Sequence, residues 1–522
     1  MSRTDLLALL PYLVLAAAAV IELLVIAWRR NHAASACICA LGLALAFAAL
    51  FVAAPRSPRA VTPLLVIDGY ALFFTGLLVL SALAVALLSY GYLRERTDQP
   101  LEEYYALLLL ATLGAAVMVA SNHFASFFLG LETLSISLLG LIGYPRATAA
   151  PTEASIKYLI LSGTSSALLL FGIALVYNDL GTLSFSALAP GALGTLGALG
   201  TAAPRDFTAL AGVALILVGI GFKLSVVPFH LWAPDIYQGA PAPVTAFVAV
   251  VSKCAVVALL LRYFLAARAF EAGTLTLVIS VIAVLSIIVG NLLALLQNNV
   301  KRMLAYSSIS HMGYVLVAFM AGGALAVEAV SAYLVAYAIT TLGAFGVVGL
   351  LSRPRQGRDA DSIDDYQGLF WTRPALASVF TVMLLSLAGI PLTLGFIAKF
   401  YALTAGVAAH LTAPITALVV GSIIGLYYYL RLIVALIRPA AAVGPGLETA
   451  SAPAKRERTG ALGGTVMAVL LVALVVLGVY PSPLVRLIRH TAGTLAGPAT
   501  GTLAVSGPAP PGAAALAART PR

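Results

Sequence analysis

Charge is scarce in this chain. Asp, Glu, Lys and Arg together make up 10% of its 522 residues, against about a quarter in soluble domains. So little polar surface cannot cover a soluble globule, and the 61% of hydrophobic residues needs lipid as its solvent. Cysteine is scarce as well. Cys37, Cys39 and Cys254 fall inside apolar runs without CxxC spacing or an accompanying histidine cluster, so neither a disulfide framework nor an iron–sulfur site is suggested. Gly-rich phosphate loops and His-rich ligand sets are missing too, which leaves nucleotide hydrolysis, haem and metal chemistry without support in this chain. Acidic residues are outnumbered by basic ones, for a net charge of +10. In a membrane protein that excess reflects arginine in the loops of one side, not nucleic-acid binding.

What is present is a series of apolar runs, each near the roughly 20 residues that a bilayer span requires. Fourteen helices are predicted, at 5–27, 33–54, 68–92, 104–121, 124–143, 154–177, 207–238, 243–267, 274–296, 302–321, 326–352, 374–409, 411–437 and 460–479. The first run, Leu6 to Trp28, is too long for a signal-peptide core and lacks a small-residue cleavage site before Arg29 and Arg30, so it is expected to stay as a span. With both termini outside, Arg29, Arg30, Arg94, Lys301, Arg302, Arg373 and Arg438 gather on the cytoplasmic side, while Arg3, Arg56, Arg59, Arg205 and Arg262 fall opposite. That asymmetry follows the positive-inside rule.

The seventh and twelfth runs exceed one span, and both are interrupted, near Pro228 and near Pro391. Carbonyls freed by a proline are tolerated in lipid only where protein or a wet cavity satisfies them. The two runs lie five spans apart, an odd number, so counterparts run in opposite directions as in an inverted repeat. The expected organisation is therefore three N-terminal spans in 1–103, one repeat in 104–268, a second in 269–440, a loop with the last span in 441–490, and a disordered Ala/Pro/Gly-rich tail in 491–522.

Lys253 sits near the middle of the eighth run, too deep for easy snorkelling, where a charged lysine costs at least about 3 kcal/mol. Glu132, within LGLETLS, lies mid-span with Ser135 and Ser137 nearby. Lys223 precedes the break at Pro228, and Lys399 follows the break at Pro391. Such residues are expected to face a polar interior, as proton sites or as helix–helix ion pairs. Weaker candidates are Lys157 with Glu153 at i,i+4, a spacing that also suits a plain helix-end ion pair, and His230 and His311, which titrate near neutrality. Glu22, Asp68 and Glu328 lie nearer span ends, where solvation is the expectation.

At these residues the sequence resembles the antiporter-like membrane subunits of bacterial NADH:quinone oxidoreductase, respiratory complex I, and among them the N type. The matching stretches include LGLETLSISLLGLIGY, EASIKYLILSGTSSALLLFGIALVY, GFKLSVVPFHLWAPDIYQGAPAPVTAFVAVVSKCA, NLLALLQNNVKRMLAYSSISHMGY and LLSLAGIPLTLGFIAKFYAL, spanning about Asp68 to Arg438. The resemblance implies an all-α, fourteen-span fold with two inverted five-helix repeats and broken helices 7 and 12. It implies that Glu132 pairs with Lys223, that Lys253 is the central lysine and Lys399 the terminal one, and that the four translocate protons. Lysine at the last position suits the N type, whereas glutamate is typical of the M type. It also implies sibling antiporter-like and small membrane subunits as partners, with FMN, iron–sulfur clusters and quinone in other subunits of the complex. A sodium/proton antiporter subunit of the Mrp type, and a purely structural membrane subunit, are the alternatives.

Overall fold

The computed structural model describes residues 2–94, 100–145, 148–185, 204–267, 269–271, 273–352, 359–439 and 460–496. Almost all of them are helical. The spans run Leu10–Trp28, His32–Ala53, Gly69–Arg94, Glu103–Ala120, Phe124–Ile142 and Ala149–Leu180 for the first six. The seventh is split into Pro204–Leu224 and Trp232–Gly239, and the eighth into Ala242–Phe247 and Lys253–Ala266. Gly273–Leu295, Val300–Phe319 and Gly323–Leu351 are the ninth to eleventh; the twelfth is split into Pro374–Ala388 and Leu394–Ala408, and Thr412–Ile437 and Ala461–Val479 complete the set. Spans four to eight and nine to thirteen are the segments expected as inverted repeats. Matching helix pairs pack alike: a Cβ on Gly114 of the fourth span would come 2.7 Å from the Gly130 carbonyl of the fifth, and one on Gly290 of the ninth 2.8 Å from the Ser310 amide of the tenth. Only glycine lets these backbones approach so closely.

Burial sorts the spans into an interior and a lipid-facing periphery. The eighth span is buried from Ala242 to Phe264, and so is nearly all of the tenth. Peripheral spans expose large apolar side chains, among them Leu24, Leu45, Ile160, Ile423 and Val469, the inverse of a soluble surface.

Both predicted breaks are present, and their freed backbone groups are satisfied by protein. In the seventh span, Ser225 turns to φ 58°; the Val227 amide donates to Ser286 Oγ at 2.9 Å, and the Trp232 indole donates to the Phe222 carbonyl at 2.8 Å. In the twelfth, Gly389 at φ 87° ends the first half, and the Gly395 amide donates to Ser386 Oγ at 3.1 Å. A third irregularity was not predicted: one π-helical turn, Val248–Ser252, immediately before Lys253.

Five other expectations need correction. Asp68 is buried, not solvated, and takes a bidentate contact from Arg262 at 2.7 and 2.8 Å. Arg262 therefore belongs to the interior and not to a loop. Glu22 is likewise fully buried. Glu328 meets Arg489 at 3.5 Å, on a C-terminal amphipathic helix, Ser482–Ala496, that packs against the eleventh and third spans. Residues 491–496, assigned to the tail, thus belong to a helix; 497–522, like the loop 441–459 and the 186–203 part of the insertion near Arg205, lie outside the described residues. A short antiparallel hairpin, Arg59–Thr62 with Leu65–Ile67, joins the second and third spans.

Candidate functional site

Lys223 ends the first half of the seventh span. Its Nζ donates to Ser135 Oγ of the fifth span and Ser162 Oγ of the sixth, each at 2.7 Å, and lies 5.8 Å from the centroid of the Tyr158 ring. Glu132, one turn before Ser135, is half-buried and accepts from Ser166 Oγ at 2.5 Å. Among the described residues the two charges form no ion pair. The direct Glu132–Lys223 contact that the resemblance implied is replaced by serines: Ser135 shares a face of the fifth span with Glu132, and Ser162 and Ser166 are one turn apart on the sixth.

Lys253 is fully enclosed at the junction of the π turn and the helix that follows it. Its Nζ donates to Ser308 Oγ of the tenth span at 2.6 Å and lies 5.6 Å from the centroid of the Tyr237 ring. Ser308 Oγ lies 2.6 Å from the Tyr337 hydroxyl of the eleventh span. One turn along the tenth span, His311 places Nδ1 2.8 Å from the Tyr333 hydroxyl and Nε2 3.3 Å from that of Tyr429; Tyr429 also meets Ser307. Ser307, Ser308, His311 and Tyr314 recur at helical spacing, so one face of the tenth span is a polar seam. Tyr314 continues it, with its hydroxyl accepting from Asn291 at 3.0 Å.

Lys399 closes the series. Its Nζ lies 5.3 Å from the centroid of the Tyr314 ring and donates to the Ala388 carbonyl at 2.7 Å. Ala388 is the last residue before the break, so the lysine binds a carbonyl that the interruption sets free. Lys223 stands before its break and Lys399 after its own, and the two are not positional equivalents.

Of the secondary candidates His311 lies in this seam, and the others lie elsewhere. Lys157 contacts Glu153 at 2.8 Å and Asp235 at 3.1 Å, and Arg302 contacts Asp235 at 2.6 Å. This is a partly exposed ion network at the end of the seventh span, apart from the buried lysines. Beside it, Lys301 is buried against Asp359 and the Ala240 carbonyl, each at 2.7 Å. His230 is buried within the seventh-span break, near the Pro228 backbone, and among the described residues neither ring nitrogen has a hydrogen bond of normal geometry.

Sequence reasoning missed Ser308, Tyr314, Tyr333, Tyr337 and Tyr429. The signal was available in YSSISHMGY, whose polar positions recur every three or four residues, and in Tyr333 and Tyr337 at i,i+4. What no spacing reveals is which two helices face each other.

A fourteen-span membrane protein with paired inverted repeats, broken seventh and twelfth helices and a lysine-bearing polar seam defines an antiporter-like membrane subunit. Residues 121–425 match the family described as NADH:quinone oxidoreductase/Mrp antiporter, transmembrane, and the chain belongs to that family. Among solved structures it is similar to a chain of respiratory complex I from Thermus thermophilus with bound aureothin, at 31% identity and TM-score 0.74, over 91% of this chain and 98% of that one. A chain of the membrane-bound sulfane sulfur reductase, an archaeal respiratory membrane complex, matches at 26% identity and TM-score 0.77, over 94% and 97%. A chain of the Mrp complex from a Dietzia species shares the fold at 22% identity and TM-score 0.80, over 95% and 98%. The chain is thus an antiporter-like membrane subunit of a complex I-type or Mrp-type assembly.

Proposed function

We propose that the chain is the N-type, proton-translocating subunit in the membrane arm of an NADH:quinone oxidoreductase, with both termini on the periplasmic side of a bacterial inner membrane. One observation carries the reading. Lys223, Lys253 and Lys399 are buried within the spans and held by hydroxyls and a carbonyl, with no carboxylate in ion-pair contact among the described residues. Breaking a buried charge pair costs about 3–5 kcal/mol, so lysines kept only to fix helices would be expected to carry partners, as Arg262 does. Lysines held by neutral groups can exist with or without their proton.

In this mechanism quinone reduction elsewhere in the complex shifts the charge balance at Glu132. Lys223 gains or loses its anion as Glu132 approaches or withdraws, and its proton affinity follows. A proton then passes to Lys253 and along Ser308, Tyr337 and His311 towards Lys399 for release. Interacting sites titrate together, so the seam behaves as one unit. Sibling membrane subunits and lipid surround the chain, and FMN, iron–sulfur clusters and quinone belong to other subunits. Lysine at position 399 and 31% identity to a chain of respiratory complex I support this placement over the Mrp type.

The test is NADH-driven proton uptake by inverted vesicles carrying the assembled complex. Uptake should be independent of sodium and depressed in Lys223→Ala and Lys399→Ala. Sodium/proton exchange by the purified chain alone would instead establish the antiporter reading.

A further inference from the structure

The N-terminal three spans lie outside the two repeats, yet they enclose a carboxyl group. Glu22 of the first span is 0% exposed, and among the described residues neither carboxyl oxygen has a hydrogen bond of normal geometry. It stands six residues from the span end at Trp28, about 9 Å into the helix. The second and fourth spans pack on the first. From the second, the Ser35 hydroxyl approaches it, and Cys39 lies within electrostatic reach; from the fourth, Glu102 and Tyr105 do. No cation from these elements pairs with Glu22 among the described residues. Arg30 is instead engaged by Glu103 at 2.5 Å and Glu102 at 3.7 Å.

An ionised carboxylate, enclosed and unpaired, costs several kcal/mol, and a neutral carboxylic acid avoids most of that cost. Tyr105, within electrostatic reach of Glu22, begins a chain of titratable groups that leads outwards. The Tyr105 hydroxyl lies 2.9 Å from His32 Nε2; His32 is half-buried, stacks on Tyr90 at 4.9 Å and sits at the span end beside Arg30 and Glu102. We propose that Glu22 is a proton-binding site separate from the lysine seam, holding its proton at rest and exchanging it through Tyr105 and His32 with the face that carries Arg30 and Glu102.

Infrared difference spectra between wild type and Glu22→Gln, taken in membranes containing the intact assembly at neutral pH, decide the protonation state. The expected result is loss of a protonated-carboxyl band that shifts on transfer to deuterated water, with the shift slowed by Tyr105→Phe. Loss of carboxylate intensity in place of that band would overturn the proposal, and an exchange rate indifferent to Tyr105→Phe would overturn the route. Should Glu22→Gln fail to assemble, wild-type protein treated with a hydrophobic carbodiimide is expected to carry the adduct on the Glu22 peptide. An adduct confined to other peptides would contradict the site.

Discussion

At the scale of single residues, the interior holds two kinds of charge. Arg262 is fully partnered, taking both Asp68 oxygens and the Val119 carbonyl at 3.1 Å. Lys301 is likewise paired, with Asp359, whereas Lys223, Lys253 and Lys399 have neutral hydrogen-bond partners only among the described residues. Their variants are therefore expected to fail in different ways. Asp68→Asn leaves Arg262 buried without its counter-charge and should destabilise the protein by about 3–5 kcal/mol, seen as a lower melting temperature of the purified protein; Asp68→Leu with Arg262→Met should recover much of the loss. Ser308→Ala removes the hydroxyl that solvates Lys253 and costs about 1–3 kcal/mol at that site. Its expected signature is depressed proton uptake in a complex that still assembles and still oxidises NADH, and unaltered uptake would remove Ser308 from the path. Glu132, Lys223, Lys253 and Lys399 stood out in the sequence because a charge in lipid is costly wherever it occurs. The Asp68–Arg262 pair did not, because 194 positions separate the partners and each alone sits close enough to a span end to be read as solvated.

At the scale of elements, the two prolines gave away the breaks in the seventh and twelfth spans, since a ring at those positions cannot continue the helical ladder. The π turn in the eighth span stayed hidden because VAVVS contains neither proline nor glycine. It places Lys253 at a helix irregularity, so that Lys223, Lys253 and Lys399 each adjoin an interruption. In the twelfth span the two halves are clamped so closely that a Cβ on Gly395 would fall 1.9 Å from the Ser386 carbonyl oxygen. Gly395→Ala should cost about 3 kcal/mol through overpacking. The measurement is thermal stability of the variant alongside Gly460→Ala, whose added methyl meets nothing within 4 Å and is expected to be silent; equal stabilities would contradict the clamp. The hairpin and the C-terminal amphipathic helix went unread because a search for apolar runs passes over short polar elements at the membrane surface.

At the scale of the whole molecule, all fourteen spans were legible, because lipid imposes length and composition on every crossing element. The arrangement of those spans was not. That the eighth and tenth lie in the interior, with Lys253 of one reaching Ser308 of the other, is a property of packing that composition does not encode. It is also what makes a path: peripheral spans present leucine, valine and isoleucine to lipid, while hydroxyls, His311 and the lysines are kept inside. The account's central claim is that protons move along this interior. It is tested most directly by counting protons taken up per NADH oxidised in the assembled complex bearing Lys253→Ala, with electron transfer to a soluble quinone analogue measured in the same preparation. The prediction is a lower proton count per NADH, partly restored by Lys253→His, which again titrates. An unchanged count with the complex intact would contradict it.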